Sequence, residues 1–171
     1  MIASRYKTAP YTWDRPAKAP GAQGDIFQYA RVEDPEALPP ADERIVDVAV
    51  LDLNCGWPNL GHDALVQAVL ETACDLLPVL NETGIAVRAV SFAVRDHQML
   101  PERPGGRFAV YLGTGGPGHI DPHENDGESA GSQGVREDPS WEAPAFALFD
   151  AIRQDPDAAL LAVCHTFGVL C

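Results

Sequence analysis

A parallel α/β sheet with helices on both faces is the fold this sequence predicts, and three observations predict it. Residues 45–53 read Ile-Val-Asp-Val-Ala-Val-Leu-Asp-Leu, an apolar, β-branched run of the kind buried on both faces of a parallel sheet. Short apolar runs recur at 85–94, 108–112 and 158–163. The segments joining them have helical or crossover length, as parallel neighbours require.

The elements follow in chain order. Residues 1–44 are punctuated by Pro10, Pro16, Pro20, Pro35, Pro39 and Pro40, with Gly21 and Gly24 between, and read as an irregular leader with a short extended piece at 25–29. The first strand, 45–53, leads into a loop over 54–61, after which Asp63 is placed to help cap a helix. Leu65, Val66, Val69, Leu70, Ala73, Leu76 and Leu77 form its apolar stripe, opposite Glu71 and Asp75. Cys74 falls beside that stripe and is expected to be a buried structural thiol. Gly84 closes the unit, and 85–94 is the second strand. The third, 108–112, runs directly into Gly113-Thr114-Gly115-Gly116-Pro117-Gly118. Residues 119–141 are rich in Gly, Asp, Glu and Ser; the expectation is a mobile surface loop that covers the carboxyl edge of the sheet as a lid. A helix over 145–154 and a fourth strand over 158–163 complete one domain, 45–171, without internal repeats.

Composition narrows the function. With 12 Lys and Arg against 25 Asp and Glu the net charge is −13, and no basic cluster exists to displace counterions, so a nucleic-acid partner is not expected. No apolar run approaches the roughly 20 residues needed to cross a bilayer, and Met1–Lys7 lacks the apolar stretch of a secretory signal. Cys55, Cys74, Cys164 and Cys171 show neither CxxC spacing nor the density of a disulfide scaffold, which makes a reducing cytoplasm the simplest location. His119, Asp121 and His123 form an H-x-D-x-H string of metal-ligand types; in an acidic loop it is read as a solvated turn, and no metal or cofactor is expected. Cys55 and Cys171 are read as packing residues, and Trp13, Trp57 and Trp141 are too scattered to make a base-stacking platform.

The chemistry concentrates near the end of the chain. The apolar run Leu160-Leu161-Ala162-Val163 stops at Cys164, and His165-Thr166-Phe167-Gly168 follows. A thiol at such a strand-to-helix turn sits at the positive end of a helix dipole, which favours the reactive thiolate. In open parallel sheets ligands bind beyond the carboxyl ends of the strands. There the loop after Leu53, the Gly115-Gly116-Pro117-Gly118 turn and Cys164 are expected to converge. Successive glycines let backbone N–H groups approach a developing oxyanion, so the set points to acyl transfer.

These residues resemble the class I glutamine amidotransferase-like superfamily, the cysteine-nucleophile branch of flavodoxin-like folds, over about 45–171. The resemblance implies Cys164 as nucleophile, the Gly116 and His165 N–H groups as oxyanion donors, and Gly115, Gly118 and Asp52 around a small-molecule amide substrate. Ala162 and Thr166 replace both elbow glycines of the family pattern, and Gly168 stands where glutamine-using members commonly carry a glutamine. The family's His and Glu partners lie far downstream of the nucleophile, which implies a domain truncated after its nucleophile strand. Two further readings remain open. Cys164-His165 adjacency resembles the related peptidase and deglycase branch, in which that histidine is the base; and the same fold can serve as a catalytically silent binding module.

Overall fold

The computed structural model describes residues 26–56 and 60–171. The expectations for residues 1–25, Trp13 included, and for Trp57 fall outside them. The described chain is an α/β fold with a five-stranded, all-parallel sheet: β1 (Phe27–Val32), β2 (Ile45–Asp52), β3 (Ala86–Ala93), β4 (Phe108–Gly113) and β5 (Ala159–Ala162). The helices are α1 (Leu60–Asp75), α2 (Leu77–Thr83), α3 (Val94–His97), α4 (Glu142–Gln154) and α5 (His165–Leu170). The strand order is β1-β3-β2-β4-β5. This is a flavodoxin-like arrangement, with the four expected strands in place.

Side chains alternate between two cores because successive residues of a strand face opposite sides. Val48 and Val50 of β2 join Ala89, Leu112 and the α1 residues Val66, Val69 and Ala73 in one core. Ala49 and Leu51 join Val90, Phe92, Tyr111 and the α4 residues Ala145, Leu148, Phe149 and Ile152 in the other. Helix α1 therefore covers one face and α4 the other. The loop after β2 leads to the first and the loop after β4 to the second, which makes the carboxyl ends of these adjacent strands the switch point where an open sheet leaves room for a ligand.

Several elements differ from the expectations. The extended piece near 25–29 is a full edge strand, Phe27–Val32, paired with β3 from Phe27↔Val87 to Val32↔Phe92. The α1 stripe breaks before Leu77 because Pro78 starts a second helix, which Gly84 ends in the left-handed conformation (φ 69°). Asp63 lies inside the first turn of α1 rather than before it, and bonds the neighbouring His62 ring. Cys74 is exposed, correcting its expected burial: one residue along a helix turns the side chain about 100° away from buried Ala73. Cys171 is exposed as well, which corrects its reading as a packing residue.

The segment 119–141 is irregular, with short 3-10 turns at Pro122–Glu124 and Pro139–Trp141 and a bridge between Asp126 and Arg136. Its composition does not convey that it has an interior of its own. Asn125, Ser132 and Val135 are buried in it, and Trp141 is 1% exposed in the core beneath α4. A loop anchored in this way is a structural part of the domain.

At the amino end of the sheet, Asp47 sits between two buried guanidiniums. Arg88 Nε donates to Oδ1 and Arg107 Nε to Oδ2, each at 2.6 Å. Arg88 and Arg107 also donate to the Pro40 and Pro39 carbonyls, which fixes the approach to β2. Removing one partner of a buried pair strands the other charge. Asp47→Ala is therefore expected to lower the unfolding free energy by about 3–5 kcal/mol in urea titrations. Asp150→Ala, which breaks the exposed pair with Arg153, should change it by less than about 0.5 kcal/mol.

Candidate nucleophile site

Cys164 forms the corner between β5 and α5, with φ 51° and ψ −109°. That backbone is costly for a residue with a Cβ, by about 1–3 kcal/mol, and persists only where its surroundings impose it. The imposing contacts are visible. The Val163 N–H donates to the Gly113 carbonyl before the corner at 3.1 Å, and the Thr166 N–H and Oγ1 donate to the Thr114 carbonyl after it, at 3.3 and 2.7 Å. Thr114, fully buried, also ties β4 to β2: its N–H donates to the Leu51 carbonyl, and its Oγ1 accepts from the Leu53 N–H at 2.9 Å. Strand-to-helix strain of this kind lifts a nucleophile clear of a sheet edge, and Cys164 is exposed.

The thiol faces the glycine turn. A Cβ on Gly115 would lie 3.1 Å from Cys164 Cβ and 3.3 Å from its Sγ. One on Gly116 would overlap the Leu53 carbonyl at 2.0 Å, so that site admits no side chain. The unexpected bulk of Thr166 has its explanation here: a Cβ on Gly113 would meet Thr166 at 2.3 Å, so the space a glycine would leave in the elbow is provided by the strand opposite. Gly168 is likewise packed against Ile120, whose Cδ1 would lie 2.8 Å from an added Cβ. Gly118 takes φ 88°, and an added Cβ there would lie 2.6 Å from Asn125 Oδ1, so the turn into the following segment requires glycine.

His165 is the first residue of α5, so its N–H is one of the donors a helix start leaves without an intrahelical acceptor. Its ring is buried and bonds the Gly116 backbone, while Nε2 has no partner among the described residues. Burial, with the Arg95 charge nearby, pushes the imidazole down to about 4, against the opposing pull of Glu137.

Beneath the turn lies a polar cluster that sequence reasoning missed. Arg95 donates through Nε and Nη2 to Glu137, each at 2.6 Å, and through Nη1 to the Leu53 and Pro117 carbonyls at 3.0 and 2.8 Å. Glu137 also accepts from Asn125 Nδ2 at 2.6 Å and Trp141 Nε1 at 3.3 Å. Burial alone would raise the Glu137 carboxyl, but the guanidinium overrides it and holds the carboxyl below its ordinary value. Cys55 Sγ lies 3.5 Å from the same carboxylate; burial first, then that charge, push its thiol up to about 12 despite Arg95, which leaves it inert. The only sequence signal for this cluster was an arginine directly after a buried strand, Val94-Arg95.

Other expected residues lie elsewhere. Asp52 is buried and occupied: it accepts from Arg31 of β1 at 2.8 Å and from the Asn54 backbone and side-chain amides, so it anchors the loop after β2. A second polar chain on that face runs from Ser91 Oγ to His62 Nε2 (2.9 Å) and from His62 Nδ1 to Asp63 (3.1 Å). It has the order of a nucleophilic triad, but Ser91 is 0% exposed beneath α1 and acts as a structural bond. His119, Asp121 and His123 are exposed turn-formers: the His119 ring accepts from the Asp121 N–H, and Asp121 from the His123 N–H. Among the described residues no three His, Cys, Asp or Glu side chains are grouped to hold a metal ion. None of their helices is long and apolar enough to cross a membrane.

Compared with protein families, curated proteins and solved structures, the chain has no match, so geometry carries the functional argument.

Two outcomes are expected. Gly113→Ala forces Thr166 out of place and should destabilise the protein by about 1–3 kcal/mol. Adding Thr166→Gly should recover part of that loss in a double-mutant cycle, since the clash then has no second partner. Above pH 6.5 His165 is neutral whether folded or unfolded; as pH falls from 6.5 to about 4 only the unfolded chain takes up its proton. Stability should therefore decline across that window, and the decline should be smaller in His165→Gln in denaturation curves at matched pH.

Proposed function

We propose that Cys164 is the nucleophile of an acyl-transfer site of the class I glutamine amidotransferase-like type, acting on a small-molecule carboxamide. The observation that carries this reading is the exposed cysteine, held at positive φ with its sulphur against a glycine turn. A structural thiol has no need of a strained, exposed corner, and the strain is what such sites accept in order to present a nucleophile.

In this reading the thiolate attacks the carboxamide carbon, a C–S bond forms, and the carbonyl π pair moves onto oxygen. The Gly116 and His165 N–H groups hold that oxyanion. Its collapse breaks the C–N bond and releases ammonia once the nitrogen has taken a proton, leaving a thioester. Water hydrolyses the thioester to a carboxylate and returns the thiol. Gly168 carries no side chain that could grip the amide from that position, so in this reading recognition falls to the backbone of the Gly115–Gly118 turn.

The first reading is favoured over the peptidase and deglycase one by the state of His165. An imidazole near pKa 4, buried and bonded to the Gly116 backbone, is badly matched to take a proton from a thiol. Its placement suits a brace for the turn.

The test is selective labelling. The protein is treated with a chloroketone analogue of glutamine, and each cysteine is followed by peptide mass spectrometry. Cys164 should react at least about tenfold faster than exposed Cys74 and Cys171, Cys55 should stay unmodified, and Cys164→Ser should remove the fast phase. Equal labelling of the three exposed thiols would overturn the proposal in favour of a silent binding module.

A further inference from the structure

We propose that Arg95, locked by Glu137, is a positioning residue that sets the orientation of the Gly115-Gly116-Pro117 backbone beside Cys164; this rests on the reading of Cys164 as a nucleophile. The Arg95 side chain is 0% exposed and that of Glu137 is 2% exposed. A buried ion pair is weak as a device for stability, since well-packed apolar side chains of similar volume serve as well or better. What an apolar pair cannot supply is the use made here of the remaining donor. Arg95 Nη1 reaches the carbonyls of Leu53 and Pro117 together, one from the loop after β2 and one from the glycine turn. The planar guanidinium converts the fixed position of one loop into a fixed orientation of the other.

The surroundings leave the turn little freedom apart from this group. The Gly116 Cα is pressed onto the Leu53 carbonyl and Arg95 Nη1, where an added Cβ would lie 2.0 and 3.0 Å away. From the elbow side, the His165 ring bonds the Gly116 backbone. Glu137 is itself held by Asn125 and Trp141 of its own segment, and Asn125 also brackets His119 by accepting from its N–H at 2.7 Å and donating to its carbonyl at 3.0 Å. Residues 119–141 thus act on the site from behind, through a carboxylate, whatever they do as a cover.

The experiment compares two reactions of Cys164 in a background carrying Cys74→Ser and Cys171→Ser. With p-nitrophenyl acetate the thiolate attacks the carbonyl carbon and forms a C–S bond. The tetrahedral oxyanion then expels nitrophenolate as the C–O bond breaks, so the rate depends on the turn's N–H groups. With a dithiobis(nitrobenzoate) disulfide the thiolate attacks sulphur and releases a nitrothiophenolate, with no oxyanion to hold. Arg95→Gln should slow acylation by about 10- to 100-fold, because a misplaced donor loses its stabilisation steeply with distance. Disulfide exchange should change by less than about threefold, since exposure of the thiol is set by the elbow. Arg95→Lys, which keeps the charge but not the fork, should lie between wild type and Gln for acylation only, and it decides the matter if Arg95→Gln does not fold. Equal loss in both reactions, or none in acylation, would overturn the positioning role while leaving Cys164 as nucleophile. If the parent protein acylates no faster than an unfolded peptide containing Cys164, the nucleophile reading falls and this role with it.

Discussion

At the carboxyl edge of this sheet, the end of β4 and the glycine turn after it admit their neighbours only because Gly113, Gly115 and Gly116 carry no side chains, and the site depends on that contact. Gly113 admits the Thr166 side chain, Gly115 admits the Cys164 sulphur, and Gly116 admits the Leu53 carbonyl; an added Cβ would lie 2.3, 3.3 and 2.0 Å from these neighbours. Because the strand ends cannot move apart without breaking the β2–β4 and β4–β5 ladders, the elbow is forced into its positive φ. Thr114 joins these parts, using its N–H, hydroxyl and carbonyl on different partners. The strain at Cys164 is therefore held by ordinary sheet hydrogen bonds plus a run of missing side chains.

The second organising force is the placement of scarce positive charge. The protein carries 25 acidic residues against 12 basic ones, yet Arg88, Arg95 and Arg107 are buried. Each bridges a carboxylate to backbone carbonyls of a neighbouring loop, at the amino end of the sheet for Arg88 and Arg107 and at the carboxyl end for Arg95. A buried guanidinium is costly unless its donors find partners, and although Arg107 Nη2 finds none among the described residues, the bonds that are made bring irregular segments into register with the strands. The irregular stretches around Pro39 and Pro117 are thus ordered by side chains that belong to β3, to its immediate continuation and to the start of β4.

The same logic separates the four thiols by reactivity. Cys55 sits half-buried beside a carboxylate, where a thiolate is disfavoured; Cys74 and Cys171 are exposed with no special backbone; Cys164 alone combines exposure with an imposed corner and a facing glycine turn. Residue type and compartment do not distinguish these cysteines. Their distinction comes from what the fold places within a few ångströms of each sulphur.

Local pattern alone determined much of the architecture. The four central strands were legible because a strand buried on both faces must be apolar throughout, and the positions of α1 and α4 were legible because one face of each must be apolar every third or fourth residue. Cys164 and the Gly115–Gly118 turn were legible as a pair because each ends a strand and parallel strands deliver their ends to one edge. Tertiary structure decided the rest. Phe27–Val32 became an edge strand by pairing with β3, a partner more than 50 residues away that no local run of residues announces. Thr166 proved admissible because Gly113 faces it, a complementarity between the start of α5 and the end of a strand 53 residues earlier. Arg95 and Glu137 lie 42 residues apart and read singly as surface charges; only burial made them partners, because a charge withdrawn from water must find its opposite there.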